Sequence, residues 1–251
     1  LIYQFIFLLS NDVGYRAEGI NILFKSLKKI ARVIMFAPKE NHSGSSSSLS
    51  LRKNLEVVKV SDDVFVVDGT PADTVYLGLS GILDVVPDIV ISGINHGANL
   101  GEDVLYSGTV AAAIEGRVLD MPSIAVSSLG KNTSDYKVAS KVTVDIVKRI
   151  NQSNLPSDTI LNVNVPAKKF EELNGYKGTR LGNRQRSIPL KKQTINDNRS
   201  LYQIGLPGIA NDAGPGTDFH AVSNHSISVT PIHIDMTFSS VLNDTKTWLS
   251  K

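Results

Sequence analysis

The chain has 251 residues, of which 41% are hydrophobic and 20% charged, with no cysteine and a formal net charge of +2. Those values fit one large or two small globular domains and exclude a disordered chain, a collagen-like repeat and a polybasic nucleic-acid tail. Without cysteine there is no disulfide framework, no thiolate metal site and no cysteine nucleophile, which suits a reducing compartment, so the cytoplasm is the expected location.

The apolar start, Leu1 to Leu9, is interrupted by Gln4, has neither a basic flank nor a small-residue cleavage site, and runs into Ser10-Asn11-Asp12. It reads as a buried first strand. No apolar run approaches the roughly 18 to 20 residues that cross a bilayer, so no membrane is expected among the partners. Further strands are expected at Val33 to Ala37, Val64 to Val67, Asp88 to Ser92, Ser123 to Ser127 and Thr159 to Val163. Helical patterns lie between them at about Gly19 to Ile30, Pro71 to Leu83, Gly108 to Leu119 and Asp135 to Ile150. Such alternation predicts an α/β fold with a doubly wound, mostly parallel, Rossmann-like sheet. One helix start is sharply marked: Thr70-Pro71-Ala72-Asp73 offers an N-cap, a proline at the first helical position and an acid three residues after the cap. From about Gly175 the pattern turns Gly- and Asn-rich, with short strands at Tyr176 to Leu181, Ser200 to Ile204 and Ser226 to Ile232. The expectation is a single domain over 1–251 in which 175–232 forms a β-rich hairpin extension.

In an open α/β sheet, ligands sit outside the carboxyl ends of the strands where the strand order reverses. That rule selects Ser10-Asn11-Asp12-Val13-Gly14, Asn41-His42-Ser43-Gly44 and Ser92-Gly93-Ile94-Asn95-His96-Gly97-Ala98-Asn99. Each loop alone is ordinary cap or turn chemistry; their convergence on one edge is what carries the argument. Asp12, Ser43 and Asn95 then supply a carboxylate, a hydroxyl and an amide oxygen. That all-oxygen set suits a hard cation such as Mg²⁺ or Mn²⁺ and suits structural zinc poorly.

Tyr106-Ser107-Gly108-Thr109 opens an Ala-rich helix, where free N–H groups, two hydroxyls and the positive end of the helix dipole can hold a phosphate or another oxyanion. It lacks the Gly-Lys-Ser/Thr of a Walker loop, and no dinucleotide fingerprint follows the first strand. Histidines show no metal-binding spacing, although His42 and His96 flank two of the loops and could contact a phosphate. Trp248 and the tyrosines do not interleave with basic residues, so no nucleic-acid polymer is expected as a partner.

At these loops the chain resembles the SurE family of survival protein E nucleotidases. The resemblance rests on Leu8-Leu9-Ser10-Asn11-Asp12, Ala37-Pro38 with Ser43-Gly44, Gly69-Thr70-Pro71-Ala72-Asp73, Ser92-Gly93-Ile94-Asn95 with Gly97 and Asn99-Leu100-Gly101, Tyr106 to Ala112, and Gly214-Pro215-Gly216-Thr217-Asp218, in family order. It implies a metal-dependent phosphatase acting on nucleoside 5′- and often 3′-monophosphates. Asp12, Ser43 and Asn95 would be metal ligands, and Gly44, Asn99, Ser107, Gly108 and Thr109 would surround the phosphate. Asp12 would be the catalytic residue, whether by ligation, as nucleophile or as general base. A homodimer or homotetramer built through the region after Gly175 is also implied. One departure stands out: the family pattern Asn-Asp-Asp-Gly reads Asn11-Asp12-Val13-Gly14 here. Valine has no donor atom, so the alternative reading is an impaired or non-catalytic nucleotide- or phosphate-binding homologue.

Overall fold

The computed structural model describes residues 5–185, 190–204 and 208–250. In chain order the elements are β1 (Ile6–Ser10), α1 (Glu18–Leu27), β2 (Arg32–Pro38), β3 (Val57–Ser61), β4 (Val64–Val67), α2 (Pro71–Leu77), β5 (Ile89–His96), α3 (Gly108–Glu115), β6 (Ser123–Ser128), α4 (Thr133–Ile150) and β7 (Ile160–Val165). They are followed by β8 (Tyr176–Gly178), β9 (Asn183–Arg184), β10 (Lys191–Asn196), β11 (Arg199–Gln203), β12 (Ala210–Asp212), α5 (Asp218–Ser223), β13 (Ile227–Ile232) and α6 (Leu242–Leu249).

A nine-stranded sheet runs in the order β3-β4-β2-β1-β5-β6-β7-β13-β8. The stretch from β4 through β7 is parallel throughout; β3 is antiparallel to β4 and β13 to β7. This is the doubly wound arrangement, with the order reversing between β1 and β5. Apolar runs in β1 and β2 bury both faces, as a covered parallel strand must. Phe7 and Leu9 pack with Ile20, Leu23 and Val142 of α1 and α4, whereas Leu8, Ile34 and Phe36 pack with Val75 and Ala112 of α2 and α3. Adjacent side chains therefore serve opposite layers.

The capping box at Thr70 is formed in both directions, with Asp73 N–H donating to Thr70 Oγ1 at 3.1 Å and Thr70 N–H to Asp73 Oδ2 at 2.9 Å. The regular helix that follows is shorter than expected. It passes at Gly78 into an irregular turn, because Gly81 adopts φ +91°, which no α-helix contains. Likewise α3 gives way at Gly116 to a 3₁₀ turn, where a Cβ would come within 2.3 Å of Ser123 Oγ and 2.5 Å of Val90 Cβ.

The segment 175–232 is split in its allegiance. Its ends, β8 and β13, join the main sheet, while β10–β11 forms a separate two-stranded hairpin and β9–β12 a second small pair. Strands β3, β9, β10 and β12 and helices α5 and α6 are additions to the expected set. No helix among the described residues is long and apolar enough to cross a membrane.

Candidate active site

The carboxyl end of β1 is turned sharply by Asn11, whose amide closes on a single residue from both sides. Gly14 N–H donates to Asn11 Oδ1 at 3.2 Å, and Asn11 Nδ2 donates to the Gly14 carbonyl at 3.0 Å. Gly14 completes the turn at φ +106°, a value open to glycine and strained for other residues. The turn sets Asp12 at the switch point, 4% exposed, with its carbonyl accepting from His42 N–H at 2.8 Å. That last bond ties the loop after β2 to the loop after β1.

Asp12 is met from the other side by the start of α3. Thr109 Oγ1 donates to Asp12 Oδ1 at 2.7 Å, and a Cβ on Gly108 would come 2.8 Å from Asp12 Cβ. Only a glycine lets the helix start lie this close. Ser107 is the N-cap, its Oγ accepting from Val110 N–H at 3.1 Å. Next to Gly108, the Ser45 hydroxyl is buried without a hydrogen-bond partner among the described residues, 3.3 Å from where that Cβ would stand. A buried, unsatisfied hydroxyl is costly unless a ligand completes it.

Burial raises the Asp12 pKa above the usual carboxylate value; the Thr109 hydroxyl, and more weakly His96 and His42, oppose that rise. A carboxylate so enclosed calls for a cation or a proton. Oδ1 is engaged by Thr109, which makes Oδ2 the oxygen free to ligate.

Asn95 reaches the site through a break in β5. Its register against β6 shifts between Ser92 and Asn95, and Gly93 sits there at φ +137°, where a Cβ would lie 2.4 Å from the Val126 carbonyl oxygen. Such an irregularity re-aims the residues that follow it. Asn95 Nδ2 donates to the Gly97 carbonyl at 3.0 Å, which leaves the amide oxygen for a ligand. Ser43 is exposed and donates to Asn41 Oδ1 through both N–H and Oγ, at 2.8 and 2.7 Å; its hydroxyl lone pairs are still available.

A single cleft of about 910 Å³ is lined by Asp12, Ser43, Gly44, Asn95, Asn99 and Ser107, so the predicted residues do converge. Gly108 and Thr109 stand behind this surface. Thr109 is fully buried, and its hydroxyl serves Asp12 directly. Asn99 is braced from behind: its N–H donates to Asn164 Oδ1 at 2.8 Å, its Nδ2 to Ser127 Oγ at 2.8 Å, and its carbonyl accepts from Asn162 and Asn164. These two asparagines interrupt the otherwise apolar β7.

His96, which the sequence placed beside a candidate loop, lines the cleft, and so does Tyr106, the first residue of the helix-start motif, though no role was assigned to it. Sequence reasoning missed Glu102, Asp103, Arg184, Gln185, Ile204 and Gly208, which share the cleft. Arg184, Gln185 and Ile204 come from a Gly- and Asn-rich stretch with no local signature.

Replacing Thr109 by Val tests its role. The change removes the strongest interaction that lowers the Asp12 pKa, so the acidic limb of the kcat/KM profile should move to higher pH. An unmoved limb would separate Thr109 from the ionisation that activity requires.

A switch-point cleft that joins a buried carboxylate, an amide and a hydroxyl to a helix start defines an α/β protein equipped to hold an oxyanion beside a hard cation. Among the described residues no three His, Cys, Asp or Glu side chains are grouped to share a metal, and half-buried Val13 follows Asp12. Residues 7–188 match the family described as Survival protein SurE, and the chain belongs to that family. It is 46% identical over 242 residues to the protein named 5′-nucleotidase SurE of Methylococcus capsulatus, covering 96% of each chain. The Halorhodospira halophila protein of the same name is 49% identical over 243 residues, covering 96% of this chain and 97% of that one. The crystal structure of the SurE protein from Aquifex aeolicus superimposes with a TM-score of 0.85 at 44% identity, covering 98% of this chain and all of that one.

Proposed function

We propose that the chain is a 5′-nucleotidase that uses a divalent cation, Mg²⁺ or Mn²⁺, to hydrolyse nucleoside 5′-monophosphates, and 3′-monophosphates as a second class, to nucleoside and phosphate. The observation that carries this reading is the Asp12 carboxylate, buried at the switch point and pressed against the start of α3. The shared name of the relatives supports the reaction class.

The donor set fits the cation, since carboxylate, amide and hydroxyl oxygens are the ligands hard ions take. Asp12 Oδ2, Asn95 Oδ1 and Ser43 Oγ would hold it. Bound there, it would polarise the phosphoryl group and lower the pKa of an attacking water. The chain's own contribution is positioning. Thr109 keeps Asp12 oriented, and the N–H groups at the start of α3 receive the phosphoryl oxygens as charge builds on them. Gly44, at φ +78° with open space around it, lets the loop after β2 approach the phosphate, and Asn99 closes the far side.

Phosphate release from a panel of nucleoside monophosphates, with Mn²⁺, Mg²⁺ or chelator, tests the reading. Metal-dependent turnover is expected, and Val13→Asp should increase it by adding a second carboxylate beside the first. Activity only in Val13→Asp would mean an intact scaffold with a disabled metal site; silence in both would sink the nucleotidase reading in favour of a binding protein.

The chain is read as a cytoplasmic homodimer or homotetramer whose assembly uses the extension. Within the extension Leu201 and Tyr202 of β11 are each more than half exposed, apolar groups that a second copy could cover. Deleting the β10–β11 hairpin should lower the sedimenting mass, and an unchanged profile would place assembly elsewhere.

A further inference from the structure

The cleft is larger than a phosphate needs, and its second half has a distinct origin. Beyond the residues assigned to the phosphate, the cleft is lined by Glu102, Asp103 and Tyr106, from the 3₁₀ turn Gly101–Leu105 and the residue after it, and by Arg184, Gln185, Ile204 and Gly208 of the extension. One side chain fastens these together. Arg184 Nε donates to Asp103 Oδ1 at 3.0 Å and Nη2 to Asp103 Oδ2 at 2.7 Å, a two-point fork between residues far apart in the chain. Its backbone N–H donates to Glu102 Oε2 at 2.9 Å, Nη1 donates to the Gly208 carbonyl at 3.1 Å, and the guanidinium lies 4.8 Å from the centre of the Phe219 ring. The pair is mostly buried, with side-chain exposures of 23% and 20%, so it is better shielded from solvent than an ordinary surface ion pair.

Arg184 and Asp103 thus hold each other in a two-point pair, and the surface around them that faces a ligand is mixed. Among the described residues Glu102 accepts from the Arg184 backbone N–H alone and retains acceptor capacity, as sugar hydroxyls require. Tyr106 and Ile204 line the same end and are 67% and 82% exposed, offering apolar faces of the kind a purine or pyrimidine ring covers.

We propose that this half of the cleft is the nucleoside subsite, and that the Arg184–Asp103 pair is the positioning clasp that sets its shape by holding the extension against the turn leading to Ser107. The proposal rests on the nucleotidase reading and assigns the part of the substrate that the phosphate end does not touch. Arg184 acts through Asp103, Glu102 and Gly208, with no role at the reacting phosphorus.

The test compares a nucleoside monophosphate with methyl phosphate, which has no nucleoside. Arg184→Met and Asp103→Asn should each lower the ratio of their kcat/KM values by about tenfold, carried by KM for the nucleotide. The double variant should fall no further than either single change, because each breaks the same clasp. Equal losses on both substrates would show damage to the phosphate end and overturn the proposal, as would an unchanged ratio or effects that multiply in the double variant. If the unmodified protein turned over no nucleotide, the proposed function would fail by itself. The subsite is then read by calorimetry as the ratio of nucleotide to inorganic-phosphate affinity, with the same drop expected and the same overturning result.

Discussion

Replacing Asp12 by Asn should lower kcat/KM for a nucleoside monophosphate by about 100-fold or more, since losing the carboxylate proposed to hold the cation should cost at least as much as losing the outer partners that orient a ligand, while the metal-free protein becomes more stable. The two effects have one cause. In the folded chain burial lifts the Asp12 pKa, so the native state keeps this proton to higher pH than the unfolded chain does. The native state then binds more protons than the unfolded state between the ordinary and the raised value, and stability falls as pH rises through that window. Above it the carboxylate is ionised in a desolvated place, and the cost persists. Asparagine keeps an acceptor for Thr109 Oγ1 and cannot ionise, so the cost disappears. If the relief is about 1 kcal/mol, Tm rises by about 2–4 °C in a chain of this size. Kinetics and a thermal scan in chelator measure both effects. Loss of activity with loss of stability would point to misfolding, and unchanged activity would remove Asp12 from the chemistry.

Replacing Gly108 by Ala should damage the site through a single methyl group. At the first position of α3 the alanine gains at most about 1 kcal/mol in helix preference over glycine. Against this, its Cβ would meet Asp12 Cβ at 2.8 Å and Pro71 Cγ at 3.0 Å, both anchored atoms, and overpacking of this kind costs about 1–3 kcal/mol. The clash outweighs the preference, and the helix start has to retreat. That moves Thr109 and the start of α3 away from Asp12 together, so kcat/KM should fall by about 10–100-fold. Gly214→Ala is the control, since a Cβ there meets nothing within 4 Å. Equal kinetics in the two variants would show that the close approach at Gly108 has no functional weight.

What could be read in advance follows from where the information lies. The apolar runs of β1, β2 and β5 and the capping box at Thr70 are local signals, and each marks its element within a few residues. The convergence of Asp12, Ser43 and Asn95 follows from a topological rule once those strands are placed. Strand β3 was not legible because most of it is exposed and Lys59 and Ser61 break its apolar pattern. Strand β10 is exposed along its whole length and starts Lys191-Lys192-Gln193, so no buried face leaves a period to detect. Helix α6 buries nothing among the described residues and leaves no stripe. The role of Thr109 was hidden differently: its motif suggested a phosphate ligand, but its rotation about the helix start turns the hydroxyl onto a carboxylate from the other end of the sequence. The Arg184–Asp103 fork joins residues with no shared local pattern, and only the folded chain displays it.

The ends of the nine-stranded sheet constrain how copies of this chain can meet. On one side the edge is β8, three residues long with Lys177 at its centre; on the other it is β3, whose register against β4 slips between Lys59 and Ser61 and whose Lys59 pairs with Asp62. Short, irregular, lysine-bearing rims are poor templates for another strand. The sheet is therefore guarded against lateral growth at both rims, which disfavours an edge-to-edge route to fibres through its most hydrophobic layer.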